Sequence, residues 1–517
     1  MKRVLCVLLV AAVLGGGLTA AAEPYQSYIY NAYGDPVYAP DLYTVRNTWS
    51  GGSLGIGELN EPGGLVCGAD GYLYLTDTKN DRIIRLSPDL TEKTVYTAFT
   101  REGETLALSG PRAVFATADG TLYIADTGAR RILIGNVDGT VSAVLEKPRS
   151  ELFPADKEFL PTDLVVTGTG VLYALCDGIY QGAVVFDEDH QFAGFFGSNT
   201  VEITLQVIAE SLWKKIATKE QRARMARYVP VQYSSIAIDE EDFVYTTVAS
   251  TEDPASRVRR LNPLGNNILV GTDGRALTFG DPKKTTYAGE TEISTLTSVA
   301  VCSSGMFAVL DRTGCKVFVY SRDGDLLSIF GGPGNFEGCF VDPTALCFSG
   351  TDLLVLDQKK GVITTFSLTG YGEKLLQALE VYMDGRYAES LPLWQAVLRY
   401  DAGSYLAVLG YGKALYQLGD HEQAMEYFER ANDKARYSEA YQEKLSREMR
   451  THFTGIVVTA ALVIAVPLVL LRCRCGRRGE RWSAIPPARA PAGPESLSKR
   501  RGLSFQIGTD VIYWAGK

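Results

Sequence analysis

Short stretches of alternating apolar and polar residues recur along residues 50–370, separated by turns rich in Asp and Gly. One reads Asp70-Gly71-Tyr72-Leu73-Tyr74-Leu75-Thr76-Asp77, and a second, 49 residues further on, reads Asp119-Gly120-Thr121-Leu122-Tyr123-Ile124-Ala125-Asp126. A proline introduces each in the same register (Pro62, Pro111), and an Arg-Ile step follows each (Arg82-Ile83, Arg131-Ile132). Looser copies run from Pro161 through Gly170–Leu175, from Ile238-Asp239 into Phe243–Tyr245, from Gly305 to Asp311 and from Leu353 to Asp357. Period-two alternation broken by Asp-Gly turns predicts antiparallel hairpins. Six such units, at a spacing in the forties with about four strands each, predict a propeller rather than a solenoid.

The string Asp77-Thr78-Lys79-Asn80-Asp81-Arg82-Ile83-Ile84-Arg85-Leu86 resembles the NHL-repeat signature, and Asp126-Thr127-Gly128-Ala129-Arg130-Arg131-Ile132 is a variant of it. The resemblance implies a mainly β chain built on a six-bladed NHL-type β-propeller over residues 50–370, with residues 23–49 an extension that lends a strand to close the ring. Two units depart from the pattern. The third carries Cys176 and the fourth Val248 where the signature Asp is expected. Asp77, Asp126, Asp311 and Asp357, together with Asn80, Arg82 and Arg131, form a repeated set that invites reading as a ring of ligands. A short carboxylate at a strand end more often holds the following turn through backbone N–H groups, so a structural role is expected for all of them.

The repeat is interrupted at 201–228, where apolar residues near helical spacing and a cluster of cations predict a helical insertion, either a contact element or a plug on the ring. Beyond Gly370 the texture turns helical. Leu379–Ala388 is echoed 34 residues later by Lys413–Glu422, aligning Gly385 with Gly419, Tyr382 with Tyr416 and Trp394 with Phe428. This resembles tetratricopeptide repeats, with Gly385, Tyr387, Trp394, Gly419, Ala424 and Phe428 as packing positions. Residues 371–450 are therefore expected to form a helical stalk, serving equally well as a spacer or as a docking surface for a partner.

Two segments bear on location. Residues 1–22 carry Lys2 and Arg3, an apolar stretch from Val4 to Leu14 and Ala20-Ala21-Ala22, the layout of a cleaved secretory signal. Residues 453–471 hold no charge and are followed by Arg472, Arg474, Arg477 and Arg478. They predict a single transmembrane helix with the carboxyl end in the cytoplasm and the body outside the cell membrane. Residues 472–517, rich in Pro, Ala and Arg, are expected to form a disordered cytoplasmic tail. Proteins of similar architecture continue into further membrane helices, which would make this a truncated end.

Composition narrows the function. A net charge of −9 argues against a nucleic-acid partner. Of nine cysteines, six fall in the exported body with no CxxC pair and are expected to be buried free thiols, although an oxidising compartment permits disulfides. Only three histidines are present, and His190, in the propeller, follows Asp187-Glu188-Asp189 in a turn. The expectation is a non-catalytic, membrane-anchored binding or scaffold protein without a cofactor, engaging a protein or small ligand, with a membrane transporter among the candidates. The alternative is a hydrolase resembling propeller lactonases, with a divalent metal in the central channel, although no readable motif supplies the Glu, Asn and Asp such enzymes use.

Overall fold

The computed structural model describes residues 25–31, 33–197, 232–249, 251, 253–271, 277–282, 285–287, 290–292 and 294–479. The expected signal segment 1–22, the insertion 201–228 and the tail beyond 479 lie outside the described residues. Contacts divide the chain into two units, 1–444 and 445–517.

The first unit contains a six-bladed β-propeller followed by helices. Blade 1 is β4 (Gly64–Cys67), β5 (Leu73–Asp77), β6 (Arg82–Leu86) and β7 (Lys93–Tyr96); blade 2 is β10 (Pro111–Ala116), β11 (Thr121–Asp126), β12 (Arg131–Asn136) and β13 (Val141–Leu145). Blade 3 is β14 (Pro161–Val166), β15 (Leu172–Cys176), β16 (Ala183–Phe186) and β17 (Phe192–Phe196). Blade 4 shows three strands among the described residues, β18 (Tyr233–Ile238), β19 (Val244–Val248) and β20 (Val258–Leu261). Blade 5 comprises β23 (Leu296–Val301), β24 (Phe307–Asp311), β25 (Lys316–Tyr320) and β26 (Leu326–Gly331), and is extended by the hairpin of β1 (Tyr28–Tyr30) and β2 (Pro36–Tyr38). In blade 6, β27 (Pro343–Ser349), β28 (Asp352–Asp357) and β29 (Val362–Leu368) are joined by β3 (Tyr43–Ser50), so one sheet contains both the first and the last strand of the ring. Small hairpins, β8 (Ala98–Arg101) with β9 (Glu104–Ala107) and β21 (Thr285–Tyr287) with β22 (Glu290–Glu292), lie between blades 1 and 2 and blades 4 and 5.

The missing anchors do not unmake blades 3 and 4. Pro161 pairs with Cys176 and Tyr233 with Val248 in the same register as Pro111 with Asp126. The second strands are alike in burial: β15 and β19 are buried throughout, as β11 nearly is. The backbone bond beside the anchor is kept, Asp177 N–H donating to Leu160 O at 2.9 Å as Arg312 N–H does to Thr295 O at 3.0 Å, and the side chain of Gln232 adds a bond from Nε2 to Cys176 O at 3.0 Å.

The six innermost strands neighbour one another in a closed cycle, β4, β10, β14, β18, β23, β27 and back to β4. Inner strands of adjacent blades belong to different sheets, so other groups must link them. In blades 2–6 the inner strand bulges at its second residue. Side chains at every junction then reach the next backbone. Thr76 Oγ1 donates to Arg112 O (3.0 Å), Thr127 Oγ1 to Pro161 O (2.5 Å) and Thr344 Oγ1 to Pro62 O (3.4 Å). Asp163 Oδ2 accepts from Ile236 N–H (3.0 Å), Ser235 Oγ from Val299 N–H (3.3 Å) and Ser298 Oγ from Leu346 N–H (3.2 Å).

Five helices follow: α1 (Gly370–Met383), α2 (Tyr387–Tyr400), α3 (Tyr405–Gln417), α4 (His421–Arg430) and α5 (Lys434–Gly479). Thr369 caps α1, accepting from Gly372 N–H, while its hydroxyl donates to Asp41 O at 2.6 Å. α1 to α4 form two hairpins whose core is continuous with that of blades 5 and 6, and Ala440 of α5 is buried in it. Within the second unit the apolar side chains of Phe453, Val457, Leu462, Ile464 and Leu468 are all exposed. No single described helix is long and apolar enough to cross a membrane; the pair Lys434–Gly455 and Val457–Arg472, bent by 44°, meets that test together by length and composition.

Gly64 marks a tight approach between blades 1 and 2. A Cβ there would lie 2.4 Å from Arg112 O and 3.0 Å from Thr76 Oγ1. Gly64→Ala is expected to destabilise the protein by about 1–3 kcal/mol through overpacking against backbone, measured as a lowered urea midpoint. Gly71→Ala, where nothing lies within 4 Å but φ is +81°, provides the comparison for backbone strain without a clash.

Candidate functional site

The repeated residues are placed inside individual blades and do not converge. Asp77 is fully buried; its Oδ1 accepts from Asn60 N–H at 2.7 Å and its Oδ2 from Asn80 Nδ2 (2.8 Å) and Arg82 Nε (2.7 Å). Asp126 repeats this with Ser109 N–H (2.7 Å) and Arg131 Nε (2.8 Å). Asp311 accepts from Thr295 and Gly314 N–H, and Asp357 from Val341 and Lys360 N–H. Each carboxylate thus fastens the segment entering its blade to the end of the second strand. Burial raises the carboxyls of Asp126 and Asp311 above the usual range, and Arg131 opposes the rise at Asp126. The guanidinium groups of Arg82 and Arg131 also donate to Ile56 O and Ala107 O, which leaves them embedded in the blade.

The helical positions also serve packing. Gly385 and Gly419 end α1 and α3 with φ of 76° and 79°, a left-handed turn that favours glycine. Trp394, Ala424 and Phe428 are buried in the shared core, and Tyr387 packs against Tyr382 with ring centres 5.2 Å apart and planes tilted by 57°. A Cβ on Gly410 would lie 2.6 Å from the Trp394 ring, so this unforeseen glycine admits the indole between α2 and α3.

Two cavities remain as candidates for binding. The larger, about 740 Å³, is a groove between the helices and the outer edges of blades 4 and 5. Leu379, Met383, Leu406, Leu409 and Lys413 line it from α1 and α3, Ile268 and Val270 follow β20, the Ser321–Asp325 turn joins β25 to β26, and Tyr30 and Tyr33 belong to the N-terminal hairpin. Lys413 Nζ meets Asp325 Oδ2 at 2.8 Å across it. Four large apolar lining residues remain exposed: Tyr33 (49%), Ile268 (38%), Val270 (63%) and Met383 (37%).

The smaller cavity, about 230 Å³, is the propeller channel. It is lined by the hydroxyls of Thr76, Thr162, Ser234, Ser235, Thr297, Ser298 and Thr344, by Arg112, and by the thiols of Cys67 and Cys347, which burial raises. Asp163 is the one carboxylate among the described lining residues. Its Oδ1 accepts from Leu164 N–H at 2.9 Å, and its Oδ2 from Ser235 Oγ and Ile236 N–H, both at 3.0 Å. Burial pushes its carboxyl up to about 6, against the downward pull of those three bonds. Sequence periodicity could not single it out, because the corresponding positions in the next blades hold Ser235 and Ser298.

The channel does not suit a divalent metal. One carboxylate with three acceptor sites already engaged, set among neutral hydroxyls, falls short of the six or more oxygen ligands of calcium or an octahedral magnesium shell. Among the described residues no group of three or more His, Cys, Asp or Glu is placed to hold a metal. Nor is Ser235 free to act as a nucleophile, since its oxygen is fixed between Asp163 and Val299 N–H. His190 lies in the β16–β17 turn with φ 61° and does not line the channel.

Comparison with known proteins identifies one family: the tetratricopeptide repeat matches residues 382–447. No protein of curated function matches the chain. Solved structures similar to it include virginiamycin B lyase from Staphylococcus aureus (11% identity over 63% of this chain and 100% of that one, TM-score 0.37). A gluconolactonase from Xanthomonas campestris (13%, 67% and 99%, 0.36) and the calcium-binding protein regucalcin from Agrobacterium tumefaciens (14%, 60% and 90%, 0.36) are similarly distant. At these distances no chemistry carries across.

Asp163 makes stability depend on pH. The folded protein keeps its proton up to about pH 6, whereas an unfolded chain releases it near pH 4. Its contribution is therefore full below about pH 4 and is lost as pH rises through 6, by roughly 1–3 kcal/mol. Asp163→Ser removes this dependence, so the variant's melting temperature should gain on the natural protein's between pH 4 and 6 and hold that gain to pH 8. Parallel melting curves across this range would refute the assignment.

Proposed function

We propose that this chain is a non-catalytic, membrane-anchored binding protein whose NHL-type propeller and helical hairpins together hold a protein segment bearing apolar side chains. The observation that carries the reading is the groove, where Tyr33, Ile268, Val270 and Met383 stand exposed. Apolar side chains gathered in one groove favour a partner that covers them. The matching Asp and Arg bonds of blades 1 and 2 support the NHL type. The uncharged stretch 453–471, with its apolar side chains exposed, supports a membrane anchor, and its flanking arginines favour an ectodomain facing outward. A neighbouring membrane protein, such as a transporter, is the partner this tethering favours, because confinement to one bilayer raises the effective concentration of each for the other.

A second reading, a channel hydrolase of lactonase type, is favoured by the Asp163 carboxyl, which titrates close to neutral pH. The lining residues do not suit its metal, which places it second.

A photo-reactive amino acid at Met383 tests the first reading. It should yield one discrete adduct in intact membranes, and Ile268→Glu with Val270→Glu should reduce that adduct at least tenfold while the melting temperature holds. An adduct unchanged by the double substitution contradicts the groove. Deleting 453–471 should release the protein from alkaline-washed membranes, and retention would contradict the anchor.

A further inference from the structure

We propose that the propeller channel binds a small primary ammonium compound, with the carboxylate of Asp163 as its counter-ion. Three inner strands give their third residue the same task, accepting an N–H from the next blade: Asp163 from Ile236, Ser235 from Val299 and Ser298 from Leu346. Two of them perform it with a neutral hydroxyl. Stapling therefore does not require a charge, yet Asp163 places one where burial opposes it.

A carboxylate offers about four acceptor sites. Leu164, Ser235 and Ile236 engage three of them, which leaves acceptor capacity on a residue that lines the cavity. Thr297 lines the same cavity, and its Oγ1 is buried without a hydrogen-bond partner. Among the described residues the other titratable lining groups are Arg112, Tyr74, Cys67 and Cys347. Tyr74, Cys67 and Cys347 are raised by burial and are neutral at pH 7, while Arg112 is exposed; none of the four is a cause of the Asp163 shift. Among the described residues the channel at neutral pH thus holds one negative charge without a cation bonded to it.

An ammonium group supplies both a positive charge and three donors, which suits one carboxylate set among hydroxyl acceptors. A bare metal cation needs more oxygen ligands than this lining supplies. A cavity of about 230 Å³ equals roughly seven or eight water volumes, which restricts the ligand to a few heavy atoms. Neither the groove nor the membrane anchor enters this inference.

Saturation-transfer NMR on the full chain in detergent, with ethylammonium, ethanol and potassium, tests it. Ethylammonium should bind saturably at pH 7.5, and its affinity should fall as pH drops through 6, approaching tenfold per pH unit once Asp163 is protonated. Ethanol should show no saturable transfer, and equimolar potassium should displace less than half of the ethylammonium. Asp163→Ser, which retains the staple as Ser235 and Ser298 do, should weaken binding at least tenfold. If that variant fails to fold, the natural protein's pH profile decides alone: weakening through pH 6 supports the proposal, and a flat profile overturns it. Absence of saturable ethylammonium transfer, equal binding by a folded Asp163→Ser, equal binding of ethanol, or full displacement by potassium each overturns it.

Discussion

Each inner strand of the ring is flanked by neighbours with which it shares no sheet, so apolar clusters shared by adjacent blades and polar side chains that bridge the gaps hold the ring together. The bulge at the second residue of an inner strand turns the next residue toward the adjacent blade, where Asp163, Ser235 or Ser298 takes an N–H that no ladder would satisfy. Elsewhere Thr76, Thr127 and Thr344 donate to carbonyls across the junction. A hydrogen bond of this kind is worth only about 1 kcal/mol net, but a buried N–H or C=O left unpaired costs about 1–3 kcal/mol. The set therefore acts chiefly by preventing penalties at every junction. The ring also has to meet itself, which it does when β3, from the start of the described chain, completes the last blade alongside β29.

The same geometry produces both cavities. Stapled inner strands leave a narrow channel whose walls are hydroxyls, with one carboxyl among them. The groove arises at the outer edge, where the β1–β2 hairpin extends blade 5 and the helices begin directly after β29. Thr369 joins these regions, capping α1 while bonding to Asp41 just before β3. The helices and the propeller share one apolar core that runs from Leu310 and Phe366 to Trp394 and Phe428. Two helical hairpins, fewer than an independent solenoid usually needs, thus gain their missing neighbour from the blades.

Much of the fold was legible because it repeats. Asp77 and Asp126, 49 residues apart, share a backbone N–H and an Arg Nε as partners, and those bonds explain why the pattern recurs. Blades 3 and 4 were obscured because Cys176 and Val248 replace the anchor, although their strands keep the register of the anchored blades. The 34-residue echo located the paired helices, but not Gly410, whose importance lies in contact with a residue on a different helix. The candidate sites were illegible for the same reason. Tyr33, Ile268, Met383 and Leu406 share a groove only after folding, and Asp163 differs from Ser235 and Ser298 in a way that no periodic signal marks.

Ring closure by β3 is the claim on which the channel, the groove and the placement of the helices all depend, and amide hydrogen exchange along residues 43–50 tests it most directly. Paired with β29, the amides of this strand that bond across the ladder should exchange as slowly as those of β28, in the middle of the same sheet. Exchange at the rate of an unprotected loop, with β28 still protected, would show an open ring and contradict the account.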